Sequence, residues 1–268
     1  MSNTALTNEE EIRRKREEQE FHDARERDRK VMTKDEFWKK YSNKKWYTVT
    51  AQIKDDLFAI IGKQPAGSSF LDLGCGLGGQ SLMAAKAGMK VSAIDISPES
   101  VEETRALLKR EGYKDFFAEV MDAEYLDFPD NSFDLIVCSG VLHHMDVKAV
   151  FPQMARVLKP GGQVIALEAL GYNPIISAYR RLTPKLRTAW EPDHIITFKE
   201  LNIARKSFGD IKTKNYFLLS ILAAPFHKRF FFKPMLSVLS AIDNVILKIP
   251  VFKHMSWQIM VFISNPKK

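Results

Sequence analysis

Four glycines fall within six residues, at Gly74, Gly76, Gly78 and Gly79, directly after the apolar run Phe70-Leu71-Asp72-Leu73. Such a run reads as a buried strand entering a tight turn, and Gln80 to Ala87 reads as the helix that leaves it. Strand, glycine turn and helix together cradle a nucleotide, because backbone without a Cβ can approach the ligand closely. Asp95 closes the next apolar run, Val91–Ile94, 21 residues beyond Gly74. An acid there can accept both hydroxyls of a ribose, or can cap the helix that follows. Asp122 follows a third run, Phe116–Val120, where it would accept from an adenine amino group or close an Asx turn. The spacing Gly74-x-Gly76-x-Gly78 differs from the G-x-G-x-x-G of dinucleotide sites, and the absence of a Lys-Ser/Thr pair in the turn excludes a phosphate-gripping loop.

Four residues stand where a proton could be moved. His143 and His144 follow the fourth apolar run, Phe133–Cys138; Glu168 ends the fifth, Gln163–Leu167, and reads as pointing into the same cleft. His194 lies in Trp190-Glu191-Pro192-Asp193-His194. Each also has a structural reading: pocket shape for the histidine pair, an arginine partner for Glu168, a loop hydrogen bond for His194. Tyr179-Arg180-Arg181 and Arg187 form a basic stretch whose guanidinium groups suit a phosphate or carboxylate, or a solvated surface.

These residues need a scaffold, and the chain supplies regular alternation. Short apolar runs take turns with helical segments at Gln80–Ala87, Pro98–Arg110 and Val147–Leu158, the last closed by Lys159-Pro160-Gly161-Gly162. That pattern implies a parallel sheet covered on both faces, with ligands at the carboxyl ends of its strands. Ser97 and Pro98 read as N-cap and first residue of the second of these helices. Residues 8–36, dense in charge, read as an exposed helix or a loose arm; Trp38, Tyr41, Trp46 and Tyr47 follow as an aromatic cluster. Phe198–Phe208 reads as a helix, Ile211–Phe217 and Trp257–Ser264 as strands, with an apolar, basic stretch between those strands.

With 268 residues and 27% charged side chains, the chain has ordinary globular composition. Its charge is uneven: residues 46–170 carry 11 basic and 17 acidic side chains, residues 171–268 carry 16 and 5. The basic third faces solvent, an anionic substrate or a lipid surface. Two cysteines, Cys75 and Cys138, make neither a disulfide framework nor a metal site, so no metal is expected and the setting is a reduced cytoplasm. The charged N-terminus does not read as a secretory leader, and no apolar stretch reaches the roughly 20 residues a bilayer demands.

Over about residues 66–170 the sequence resembles the class I S-adenosylmethionine-dependent methyltransferases of the small-molecule type. The motifs that carry the resemblance are Leu71-Asp72-Leu73-Gly74-Cys75-Gly76-Leu77-Gly78, Val91 to Ile96, Met121-Asp122-Ala123, Phe133-Asp134-Leu135-Ile136, Val141-Leu142-His143-His144 and Arg156-Val157-Leu158-Lys159-Pro160-Gly161-Gly162. The resemblance implies an α/β, Rossmann-like, seven-stranded and mostly parallel sheet with an antiparallel last strand and helical cap insertions. It implies S-adenosyl-L-methionine as cofactor and S-adenosyl-L-homocysteine as product. It draws the cofactor site from Asp72, Gly74, Cys75, Gly76, Asp95, Ile96, Asp122, Ala123, Ser139 and Tyr47. Gly74 and Gly76 would pass under the methionine, Asp95 would hold the ribose beside Ile96, Asp122 the adenine beside Ala123, and Ser139 would lie near the sulfonium.

The expected organisation is an N-terminal helical arm or cap (1–48), a cofactor-binding core (49–170), a substrate-side cap (171–197) and a C-terminal part of the core (198–268) with an apolar insertion at 218–254. The family joins its last two strands by a short hairpin, so that insertion departs from the pattern. The expected reaction is O- or C-methylation of a small molecule with an apolar body and a polar or anionic head. Glu168, His143, His144 and His194 are the candidate catalytic residues, and Tyr179, Arg180, Arg181 and Arg187 the candidate substrate-binding ones. Alternatives are a saccharide or glycolipid acceptor, and a non-catalytic module docking on a membrane. Peripheral membrane contact and a homodimer are expected as partners, nucleic acid is not.

Overall fold

The computed structural model describes residues 8–41, 48–183, 188, 190 and 194–268. The apolar runs become β1 (Ser69–Leu73), β2 (Lys90–Asp95), β3 (Phe116–Val120), β4 (Phe133–Ser139), β5 (Leu158–Ala169), β6 (Phe208–Tyr216) and β7 (Gln258–Pro266). They form one sheet in the order β3-β2-β1-β4-β5-β7-β6. Neighbours from β3 to β5 pair in parallel, while β7 runs antiparallel between β5 and β6. The Rossmann-like sheet with one reversed strand is the expected architecture.

Alternation along β1 shows how the two faces are filled. Leu71 and Leu73 enter one apolar cluster and Phe70 the other. On the first face lie α6 (Val147–Val157) and α8 (Phe198–Ala204), burying Phe151, Met154 and Leu201. On the second lie α3 (Ala51–Ile61), α4 (Gly79–Lys86) and α5 (Pro98–Arg110), burying Ile53, Leu57, Ile61, Ala84 and Leu108. The N-cap of α5 forms as its residue types dictate: Ser97 accepts from the Ser100 N–H at 3.1 Å, and Pro98 opens the helix.

The segment expected to close α6 differs from the sequence reading. Lys159-Pro160-Gly161-Gly162 does not precede β5 but lies within it. Phe133 pairs with Leu158 and Leu135 with Gln163, so the four residues form an irregularity that the strand absorbs. The segment between β6 and β7 holds a 3-10 turn at Ser220–Phe226, α9 (Phe232–Ile246) and the short α10 (Pro250–Lys253). One face of α9, with Met235, Leu236 and Leu239, packs on the second cluster. Buried Asp243 secures this segment, accepting from the backbone N–H groups of Leu218, Leu219 and Ser220 at 2.7–3.0 Å.

The remaining helices are α1 (Asn8–Val31), α2 (Lys34–Lys40) and α7 (Pro174–Leu182). Contrary to the expectation of an exposed arm, α1 lies across the carboxyl ends of the strands and buries Arg14, Glu18 and Glu26. Its inward face is charged, which apolar periodicity cannot reveal.

Candidate functional site

The strand order reverses between β1 and β4, and the crevice outside their carboxyl ends is where open α/β sheets bind ligands. The glycine turn after β1 is tied to β2: Gly74 and Cys75 both donate their N–H to the Ile94 carbonyl, at 2.8 and 2.9 Å. Gly74 adopts φ +78°, and a Cβ on it would stand 2.5 Å from Val141 Cγ1. Gly76 is different. Its N–H donates to Asp95 Oδ2 at 3.0 Å, and a Cβ on it would meet no protein atom within 4 Å. It borders a cavity of about 270 Å³. The space that glycine keeps open there is space for a ligand.

Gly74, Gly76, Asp95, Ile96, Asp122, Ala123 and Ser139 all line this cavity. The Asp95 carboxylate also accepts from the Ser97 N–H at 2.9 Å. Burial raises its pKa, and the N–H groups of Ser97 and Gly76 offset this in part. Asp122 accepts from the Glu124 N–H at 2.9 Å, the Asx turn of the alternative reading, and its other oxygen meets Lys15. Asp72 and Cys75 do not line the cavity. Asp72 is buried beneath the turn, where it accepts from the N–H and Oγ of Ser81 at 2.9 and 2.6 Å; Cys75 packs with Ala93, Val101 and Ala118. Burial pushes the Asp72 carboxyl up to about 7 and raises the Cys75 thiol. Tyr47 lies outside the described residues.

The opposite wall of the cavity comes from α1, which sequence reasoning missed: Arg14, Lys15, Glu18, His22 and Arg25. Arg14 donates to the His144 carbonyl at 2.8 Å and to Glu124 at 2.7 Å. Lys15 Nζ lies 2.7 Å from Asp122 and 3.0 Å from Glu124. Partial burial disfavours the Lys15 ammonium, but its bonds to Asp122, Glu11 and Glu124 outweigh this and raise its pKa. Burial acts likewise against the Glu18 carboxylate, and hydrogen bonds from His144 and Thr188 prevail, so its pKa falls. Burial, then the neighbouring His144, pushes His22 well below the ordinary histidine range, so its ring is neutral. The pair Glu18-x-x-x-His22 was the available signal, one carboxylate and one imidazole on the same face of a helix.

Among the four candidate catalytic residues, the structure brings His144 alone to the cavity wall. Glu168 does not point into the cleft. It is 2% exposed, its Oε1 accepts from the N–H groups of Val141 and Leu142 at 2.9 and 2.7 Å, and its Oε2 lies 2.7 Å from His143 Nδ1. Two backbone donors cannot find water at that depth, so the carboxylate secures the turn after β4. His194 stacks on Trp190 with ring centroids 3.3 Å apart and its Nδ1 is 2.8 Å from the Trp190 carbonyl. Arg180 donates to the Leu170 carbonyl at 3.2 Å; Tyr179, Arg180 and Arg181 are not among the cavity-lining residues, and Arg187 lies outside the described ones.

Residues 71–166 match the family model described as "Methyltransferase domain". Over 106 residues the chain is 40% identical to the 2-methyl-6-phytyl-1,4-hydroquinone methyltransferase of Synechocystis sp., a match spanning 39% of this chain and 33% of that protein. It is 36% identical over 116 residues to the ubiquinone biosynthesis O-methyltransferase of Xanthomonas axonopodis pv. citri, spanning 41% and 46%. The chain thus matches between a third and a half of the length of these relatives. Among solved structures, phosphoethanolamine N-methyltransferase 2 of Haemonchus contortus, in complex with S-adenosyl-L-methionine, superposes with a TM-score of 0.58. That match has 19% identity and covers 82% of this chain and 56% of that one; it shows the same fold.

Proposed function

We propose that the chain, whose residues 71–166 match a methyltransferase domain, moves a methyl group from S-adenosyl-L-methionine to a small molecule. The observation that carries the reading is the convergence on one cavity of Gly76, with space in place of a Cβ, and the Asp95 carboxylate bonded to its N–H. The donor set fits the cofactor: a half-buried acid for ribose hydroxyls, Ile96 and Ala123 as apolar neighbours of an adenine, Asp122 for its amino group. When bound, S-adenosylmethionine supplies a methyl on a sulfonium, and departure of the neutral thioether drives the displacement. The chain's own residues hold and enclose. Gly74 and Gly76 let backbone approach, Asp95 anchors, and α1 walls the site, so that proximity supplies the rate.

In this reading the acceptor enters on the side of Val141, His144 and Met145, which line the cavity. We read it as an apolar body with a polar or anionic head, methylated on oxygen or carbon. The names of the two relatives, both tied to quinones, support an acceptor of that kind.

The same reading extends to a lipid surface. On α9, Val238, Ile242 and Val245 form an exposed stripe, while Phe230 is 96% exposed and Val251 70%. Lys228, Arg229, Lys233 and Lys248 stand exposed among them. Apolar side chains rimmed by cations suit the interface of an anionic bilayer. No helix among the described residues is long and apolar enough to cross it.

Calorimetry of the full chain with S-adenosylmethionine tests the reading. One site per chain is expected, with at least tenfold weaker binding in Asp95→Ala. No heat with the parent protein overturns it.

A further inference from the structure

Glu18, His22 and His144 bring one carboxylate oxygen and two imidazole nitrogens within 4.8 Å of one another, all on the wall of the cavity. We propose that this trio is a binding site for a first-row divalent cation. The set of two histidines and one carboxylate suits zinc, iron, cobalt or nickel rather than magnesium or calcium.

The geometry is close to what coordination requires. Glu18 Oε2 lies 2.9 Å from His144 Nδ1 and 3.8 Å from His22 Nε2. Two ligands each about 2.0–2.1 Å from a metal stand roughly 2.9–3.4 Å apart, so the 3.8 Å pair must close by about 0.4 Å and the two imidazole nitrogens, within 4.8 Å of each other, must converge as the ion enters. The local bonding leaves these atoms for it. Glu18 Oε1 is occupied by the Thr188 hydroxyl at 2.6 Å, which orients the carboxylate from outside, as outer-shell partners of metal ligands do. Glu18 Oε2 and His144 Nδ1 are buried and face each other at 2.9 Å, with no further hydrogen-bond partner. A divalent cation between them would take both lone pairs in place of a shared proton.

The elements that present the three ligands are held independently. Glu18 and His22 sit one turn apart on α1, which Arg14 ties to the His144 carbonyl, and the turn bearing His144 is secured by Glu168. Three protein ligands beside an open cavity leave a coordination position free, the arrangement of a catalytic rather than a structural site.

The role of the cation rests on the methyltransferase reading; its binding does not. An acceptor hydroxyl bound to the metal loses its proton to water, since a divalent ion lowers the pKa of a coordinated oxygen by several units. That oxygen then forms its bond to the methyl carbon as the carbon–sulfur bond breaks and sulfur keeps the electron pair. The expectation of no metal rested on the two cysteines alone and did not weigh a carboxylate and histidines drawn from α1.

The experiment is titration of the metal-stripped full chain with Co²⁺ and with Zn²⁺, followed by visible absorption and calorimetry without any methyl donor. One ion per chain is expected, with binding at least tenfold weaker in both Glu18→Gln and His22→Ala and unchanged in His227→Ala, a histidine remote in sequence that bonds to the Ala224 carbonyl. Absence of binding by the parent protein, or equal binding by the Glu18 and His22 variants, overturns the site. Neither result touches S-adenosylmethionine binding, which the Asp95 titration measures separately.

Discussion

Lys15 Nζ lies 2.7 Å from Asp122 Oδ2, so a side chain of the N-terminal helix holds the acid proposed to receive an adenine amino group. The same ammonium reaches Glu11 and Glu124, at 2.5 and 3.0 Å, and fastens α1 over the cavity. At about 270 Å³ the cavity sits just below the range of roughly 300–1,000 Å³ common for ligand pockets. The adenine amino group proposed for Asp122 competes there with Lys15. Lys15→Met removes that competition. Its expected effect is several-fold tighter binding of S-adenosylmethionine by calorimetry, in keeping with about 1 kcal/mol for a partly buried ion pair. Weaker binding would mean that Lys15 belongs to the closed, cofactor-loaded site.

Gly74 and Gly76 both have positive φ, yet substitution should separate them. In Gly74→Ala the new methyl meets Val141 at 2.5 Å, within a turn fixed by two bonds to Ile94, so the protein should lose several kcal/mol of stability. In Gly76→Ala the methyl enters the cavity and meets no protein atom. Only the left-handed backbone at φ +50° resists, a cost of about 1–2 kcal/mol. Chemical denaturation should show a small loss for Gly76→Ala and a large one for Gly74→Ala. Calorimetry should show cofactor binding lost in the Gly76 variant despite its folded state. A Gly76→Ala protein that binds normally would remove this glycine from the cradle.

The centre of the sheet was legible because β1 and β4 are buried on both faces, and continuous apolar runs separated by capped helices admit few architectures. The glycine turn, Asp95 and Asp122 were legible for a related reason: their chemistry needs particular residue types at fixed distances along the chain. What α1 contributes was not. Its inward side consists of Arg14, Lys15, Glu18 and His22, whose neighbours are ion pairs rather than apolar contacts, so hydropathy reads the whole helix as solvated. Glu168 shows the opposite failure. Its position at a strand end suggested chemistry, but two backbone N–H groups claim it, and main-chain donors leave no mark in sequence. Lys159 to Gly162 misled because proline and glycine end helices and also populate strand irregularities.

Stability should depend on pH through Asp72. Burial raises its carboxyl from an ordinary 3.8 to about 7 in the folded protein. Between those values the folded state binds more protons than the unfolded one, so stability falls as pH rises through this window and levels off above it. The full displacement corresponds to roughly 4 kcal/mol at about 1.4 kcal/mol per unit. Asp72→Asn cannot ionise, and its oxygen can still accept from Ser81. Urea midpoints measured from pH 5 to pH 8 should decline in the parent and decline less steeply in Asp72→Asn. Parallel profiles for the two proteins would assign the pH dependence to other groups.

The exposed face of α9 offers a test of the lipid reading that leaves the cavity intact. Val238 and Val245 are 61% and 64% exposed, on the side of the helix away from Met235, Leu236 and Leu239, which pack on the core. A glutamate at either place meets water in the free protein and should change stability by less than about 0.5 kcal/mol. At a bilayer the same charge has to leave water or hold the helix away, and it opposes the anionic headgroups that Lys228, Arg229, Lys233 and Lys248 would attract. Flotation with vesicles containing anionic lipid should therefore recover the parent protein at low salt. Val238→Glu with Val245→Glu should stay in the aqueous fraction while keeping its melting temperature and its affinity for S-adenosylmethionine. Vesicles of zwitterionic lipid alone should bind the parent less, because each basic residue near an anionic surface contributes about 1 kcal/mol. Equal flotation of parent and double variant would detach the α9 stripe from the membrane and leave it to another partner.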